Sequence, residues 1–273
     1  MTQTTKSSQK GFTLLEVLAA TALFIIACSA MFSLLNTSQR RYQTESQVLD
    51  SFQDARLALD QIERDANDSG YPPYNNFAAL PANCLPVPTI CQSYVNSPVA
   101  WSPNYVAAPC LIGTAGGGTC ATPGDFDVIF EENNGAGAIN WIRYRLNGTT
   151  LLRGTALKGG PGTDPAGATL GNLAPFIVNV MNSAPAAQIA TFRASYPSMF
   201  PGGNPVPIFQ YYCPNPAGAP ATILCQNAGG SNSPQNVVDV EITLILQTSQ
   251  NDAQTKAPRL VELNGRGHRV NPN

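Results

Sequence analysis

One stretch limits what this chain can fold into more than any other. From Phe12 to Leu35 it is almost wholly apolar, and its only charged residue is Glu16. As a helix the stretch measures about 36 Å at ~1.5 Å per residue, enough to cross a ~30 Å hydrocarbon core. A carboxylate inside such a segment is costly without a partner, so it marks a function rather than a packing choice. Residues 1–10 are polar, with Lys6 and Lys10 basic, and Gly11 stands at the junction. Arg40 and Arg41 follow the apolar run closely, so charge asymmetry says little about orientation.

Three readings compete for this segment. A secretory signal peptide has a small-residue cleavage site after its apolar core, and Ala27-Cys28-Ser29-Ala30 imitates one. The core is longer than such peptides need, and Glu16 has no place in it. A plain signal anchor accounts for the length but not for Glu16. The string Gly11-Phe12-Thr13-Leu14-Leu15-Glu16 accounts for both, because it resembles the prepilin-type cleavage and methylation signature of type IV pilins and type II secretion pseudopilins. The resemblance implies that Gly11 precedes a bond cut on the cytoplasmic face by a prepilin peptidase. Phe12 becomes the new amino terminus and is N-methylated. Glu16 then meets a terminal amine, a neighbour's or its own, inside the lipid. Glycine suits the cut because it lets an extended backbone approach a catalytic site closely.

The helical pattern continues past the apolar run. Val48, Phe52, Ala55, Leu59, Ile62 and Ala66 step by three and four, one stripe of an amphipathic helix that packs on a globular domain. Glu45, Asp50, Asp54, Asp60, Glu63, Asp65 and Asp68, with Arg56 and Arg64, read as its solvated side. Gly70 suits the position after the helix end, and Tyr71-Pro72-Pro73 cannot continue it. The expected division is a leader over 1–11, a long helix over 12–69 with 12–35 in the membrane, and a β-rich globular domain over 70–273. The end of the helix, Ile62 to Tyr71, resembles PilW-type minor pilins and J-type pseudopilins.

Six cysteines lie outside the apolar run: Cys84, Cys91, Cys110, Cys120, Cys213 and Cys225. An even number suggests disulfides in an oxidising compartment, and this places the large domain outside the membrane. Chain proximity favours Cys84–Cys91, Cys110–Cys120 and Cys213–Cys225. A zinc site is the rival, but CxxC spacing is absent and the sole histidine, His268, is remote. The charged fraction is 12%, about half that of a typical soluble domain. The 23 glycines and 23 prolines argue for turns and loops. Net charge is −2, so no basic field points to nucleic acid.

Strand patterns begin at Phe126–Glu131. Ile139–Leu146, Asn147-Gly148 and Thr149–Arg153 form a hairpin signal. Pro175–Met181, Ile189–Tyr196 and Val206–Tyr212 follow as further strands. In Val237–Leu246, Val238, Val240, Ile242, Leu244 and Leu246 share one face opposite a mostly polar one. Residues 155–172 and 213–236 read as surface loops, and a polar tail starts at Asn264. The fold class that follows is α+β, pilin-like: a long helix across an antiparallel sheet, with disulfide-braced loops.

No nucleophile motif, cofactor site or metal centre stands out. The triple glycine at 116–118 lacks the rest of a phosphate loop. Asp125 with Asp127, or Glu131 with Glu132, is too few oxygens for calcium. Arg143, Arg145 and Arg153 read as one basic patch on a hairpin face. The resemblance implies a structural, non-enzymatic subunit: a minor pilin near a filament tip that primes assembly. A J-type pseudopilin is the alternative, and a membrane-anchored adhesin or binding module is another. Implied partners are the prepilin peptidase, other minor pilins and the major pilin, the inner-membrane assembly platform, and lipid before assembly. The implied location is the bacterial inner membrane, single-pass with the large domain outside, then an extracellular pilus or periplasmic pseudopilus.

Overall fold

A single helix, α1, runs from Leu14 to Asp68. No proline interrupts it, Ala and Leu dominate its first half, and Thr13 caps its start. Ser69 leaves helical geometry and Gly70 takes a φ of 76°, a left-handed conformation that glycine adopts without strain. At ~1.5 Å per residue α1 is about 80 Å long. The computed structural model describes residues 11–70, 99–100, 123–133, 138–159, 164–228, 236–252 and 256–269.

Among the described residues the globular part holds two antiparallel four-stranded sheets, where the sequence pattern suggested one. The first is built from β1 (Asp127–Asn133), β2 (Ile139–Asn147), β3 (Thr150–Leu157) and β4 (Ala174–Ile177), in that spatial order. The second contains β5 (Phe209–Pro214), β6 (Thr222–Leu224), β7 (Asp239–Asn251) and β8 (Pro258–His268), in the order β6-β5-β7-β8. Asn147 pairs with Thr150, so the loop between β2 and β3 is Gly148-Thr149. Gly148 has φ 59°, as expected at the first loop position of a type II′ hairpin. The α+β, pilin-like class therefore holds: a long helix on antiparallel sheets.

The main core lies between α1 and the inner faces of both sheets. Ala55, Leu59, Ile62 and Ala66 of α1 meet Phe130, Ile142 and Tyr144 from one sheet and Val240, Ile242 and Leu244 from the other. The membrane-proximal end of the stripe is not buried: Val48 is half-buried and Phe52 is exposed. Smaller layers cover the outer faces. The short helix α2 (Pro165–Leu170), capped by Asp164, packs with Ile129 and Trp141. The helix α3 (Ala186–Ser195) brings Ile189 and Phe192 over Ile245. The less apolar face of β7 is therefore covered too.

Several expectations fail for identifiable reasons. Of the expected strand Ile189–Tyr196, Ile189–Ser195 is helical and Tyr196 is the C-cap. The buried residues Ile189 and Phe192 are three apart, Ala186, Ala187, Ala190 and Ala194 supply good helix formers around them, and Pro185 and Pro197 bracket the segment. The segment read as loop over 155–172 contains the end of β3 and α2, and that over 213–236 contains β6. The polar tail is the end of β8, because Gly265 and Gly267 let the strand run directly beneath α1. A Cβ on Gly265 would collide with Glu63 and Leu59, and one on Gly267 with Ala66. The outward N–H groups of Arg266 and His268 donate to Glu63 Oε1 at 3.0 Å and Asn67 Oδ1 at 2.6 Å. The helix thus covers the β8 edge of the second sheet.

Asp65 does not belong to the solvated side of α1. It is 3% exposed; Tyr144 donates to its Oδ2 at 2.5 Å and Arg153 donates at 2.9 Å. The arginines also divide. Arg153 lies opposite Tyr144, facing α1, while Arg143 lies opposite Gly154 on the outer face. There Arg143 donates to both oxygens of Asp127, at 2.8 and 2.6 Å. No single basic patch forms.

Glu132 sits beside this network, bridged to Ser69 at the end of α1. Burial, then the nearby Asp65 and Asp68, push its carboxyl up to about 7, with Arg153 opposing. The folded protein thus holds this proton more tightly than an unfolded glutamate near 4.5. The associated stability is fully present below that value and is lost as pH rises through about 7. Glu132→Gln is expected to flatten this part of the pH dependence in urea denaturation; an unchanged slope would contradict the assignment. Gly267→Val should lower stability by about 1–3 kcal/mol through overpacking against Ala66, read as a reduced urea midpoint.

Candidate assembly site at the amino-terminal helix

The junction between the polar leader and α1 is built from residues close in sequence. Gly11, Phe12 and Thr13 precede the first helical residue and are exposed. Around Gly11, the space a Cβ would occupy is open, so its surroundings leave the peptide bond after it accessible. Thr13 has extended geometry, φ −76° and ψ 150°. Its hydroxyl accepts from the Glu16 backbone N–H at 3.3 Å. Glu16 Oε2 accepts in return from the Thr13 N–H at 3.2 Å and from its hydroxyl at 3.1 Å. This is a reciprocal capping box, which satisfies helix-start donors that otherwise lack partners.

Glu16 therefore has two roles available in one place. Its charge sits at the positive end of the helix dipole, and its side chain closes the cap. A carboxylate has about four lone-pair sites, and the cap leaves others for an incoming amine. Thr13 is the residue that sequence reasoning missed. Its signal was present, since Thr-x-x-Glu before an apolar run is a capping-box pattern.

Beyond the cap, the apolar half of α1 stands clear of the globular part. Phe12 is 85% exposed, and Leu14, Leu15, Phe24, Ile25 and Phe32 are likewise exposed. The most apolar window has a mean hydropathy of 2.3, with none of it buried. A core helix of a soluble protein would be covered. Thr21 and Thr37, in and just beyond the run, donate their hydroxyls to carbonyls one turn back, so neither asks for water. Cys28 is a free thiol.

The other candidate residues are placed as follows. Cys213 and Cys225 form a disulfide joining β5 to the turn after β6. Cys84, Cys91, Cys110 and Cys120 lie outside the described residues. Asp127 is held by Arg143. Glu131 is wholly buried with Lys158 Nζ at 2.6 Å and Trp141 Nε1 at 3.0 Å. Burial lowers Lys158 from its usual range, with the Glu131 charge opposing. Among the described residues no cluster of three or more potential ligands could hold a metal. His268 ends β8, its ring mostly exposed and in contact with Asp239.

Residues 6–32 match the family model described as "Prokaryotic N-terminal methylation motif". The motif and the long apolar helix support a type IV pilin-like protein. No curated protein and no solved structure matches the chain. The motif implies processing by a prepilin peptidase and assembly with other pilins, and it indicates a structural protein. With the uncovered helix it also suggests anchorage in a membrane.

Thr13→Ala should weaken the helix start by about 0.5–2 kcal/mol. The expected readout is faster amide exchange at Leu15 and Glu16 in detergent micelles, with the globular part unchanged.

Proposed function

We propose that this chain is a minor pilin of a type IV pilus, of the PilW type, placed at or near the filament tip and priming assembly with other pilins. The observation that carries the reading is the capped Glu16 at the head of an uncovered apolar helix, directly after Gly11-Phe12. In this reading residues 1–11 are a cytoplasmic leader, removed by cleavage between Gly11 and Phe12, and the Phe12 amine is N-methylated. Residues 12–35 sit in the membrane and later in the filament core. Residues 70–273 form the extracytoplasmic unit. The protein starts in the inner membrane, meets the assembly platform there, and ends in an extracellular filament.

Glu16 is the intramembrane contact. A terminal amine brought beside it converts an isolated charge into a pair. Removing one partner of such a buried pair costs about 3–5 kcal/mol, so pairing can set the position of one subunit against the next. The resemblance of Ile62–Tyr71 to PilW-type helix ends supports the subunit class.

Gly11→Ala should leave a longer, membrane-held precursor, whereas Glu16→Ala should be shortened normally yet fail to enter filaments. Both are read by immunoblot of membrane and sheared-filament fractions; normal shortening of Gly11→Ala would remove the cleavage assignment. Deleting the protein should reduce surface pili and leave enzyme secretion intact. Loss of secretion alone would instead identify a J-type pseudopilin, and loss of neither would favour an anchored binding module.

A further inference from the structure

The second sheet reaches along α1 toward its apolar half. Gly267 lies against Ala66, and Gly265 against Glu63 and Leu59. Arg259, earlier in β8, binds Asp252 at 2.7 Å and approaches Glu45 Oε1 at 3.8 Å. β8 therefore runs parallel to α1, and its start is the membrane-proximal end. Thr44, Gln47 and Val48 of α1 are half-buried at this level. At ~3.4 Å per residue, the chain from Gly267 back to Lys256 spans up to about 37 Å, which along α1 leads from Ala66 to about Tyr42 at ~1.5 Å per residue.

Tyr42 stands about 10 Å beyond Leu35, the last residue of the apolar run. The headgroup layer adds ~5–7 Å on each side of the hydrocarbon core, and the four-carbon stem of a lysine reaches further toward it. The Lys256 ammonium thus comes within a Debye length, ~8–10 Å, of lipid phosphates. Other side chains at this level have the chemistry of an interface. Arg40 and Lys256 are exposed cations, and neither enters an ion pair among the described residues. Tyr42 is 76% exposed, and tyrosine is enriched where headgroups meet water. Glu45 and Asp252, carboxylates near the same level, are offset by Arg259. Lys256 has φ 56°, a left-handed conformation that glycine or asparagine takes more readily, so backbone preference does not explain a lysine there.

We propose that Lys256 and Arg40 bind the anionic headgroups of the leaflet from which the globular part emerges, with Tyr42 seated among them. This rests on the reading above, in which residues 12–35 sit in the membrane. The occupant is lipid, because the end of the apolar run sets these groups at the level of the phosphates. Arg40 and Glu45, the residue under Arg259, lie roughly 140° apart around α1. The two cations therefore meet the bilayer on different sides of the helix. Contacts on two sides resist tilting and hold the unassembled subunit upright on the membrane.

The test uses the full-length chain in lipid nanodiscs of phosphatidylcholine, with or without phosphatidylglycerol. Beyond the leader the lysines are Lys158 and Lys256, and the Lys158 side chain is only 2% exposed. Brief acetylation followed by peptide mass spectrometry thus reports on Lys256. Phosphatidylglycerol should slow its modification by about three- to tenfold, and high salt should remove most of the difference. Arg40→Lys places a second amine in the same layer, which should be protected likewise. Asn264→Lys places one about 27 Å farther up β8, which should react equally in both lipids. Equal rates at Lys256 or at the lysine of Arg40→Lys, or slowing of all three amines alike, would overturn the inference. So would protection in both lipids that salt does not relieve. Co-elution with the discs is scored first. A chain that does not co-elute removes the membrane reading and this inference with it, whereas co-elution with equal rates removes the inference alone.

Discussion

The attachment of the long helix depends on one buried carboxylate. Asp65 leaves the face of α1 that its neighbours keep in solvent and reaches Tyr144 and Arg153 inside the first sheet. Burial, reinforced by the Asp65 charge, pushes the Tyr144 hydroxyl well above its usual range, so it remains a donor. The Tyr144 ring is itself fixed among Phe130, Phe176 and Phe209. Removing one partner from such a network strands the rest without compensation, at a cost of about 3–5 kcal/mol. Hydrophobic contact along Ala55, Leu59 and Ile62 brings the helix to the domain. The directional contacts of Asp65 specify its rotation.

Rotation matters because α1 serves two sheets at once. On one side it meets Tyr144 and the Ser69–Glu132 bridge. On the other it lies over Gly265 and Gly267 and accepts from the outer N–H groups of β8. A helix turned by one residue would lose both sets together. The unit at the far end is thereby held at a defined orientation to the apolar half of α1, which a subunit that must fit a lattice requires.

The amino-terminal site was legible because its parts lie within a few residues of one another. Gly11, Phe12 and Glu16 form a local string, and even the overlooked Thr13 was readable from it. The stripe of α1 was readable for the same reason: helical periodicity is a local property. Asp65 was not, because its partners stand 79 and 88 positions away, and an acidic residue among acidic residues looks like surface. The segment at Ile189 carried apolar residues compatible with either period, and burial against Ile245 decided for the helix. Gly265 and Gly267 read as a polar tail because close approach leaves no apolar side chain to notice. The division into two sheets was hidden likewise, since it depends on which distant strands pair.

The contacts between α1 and β8 join residues 203 and 201 positions apart. Glu63 and Asn67 are therefore synthesised 203 and 201 positions ahead of Arg266 and His268. The inner surface of the helix cannot be fully covered until β8 exists, so the globular unit acquires its finished form only after that strand has been made. Contacts of such separation are slow to close and leave apolar surface open meanwhile. Completion of the domain and coverage of the helix become one event, governed by β8.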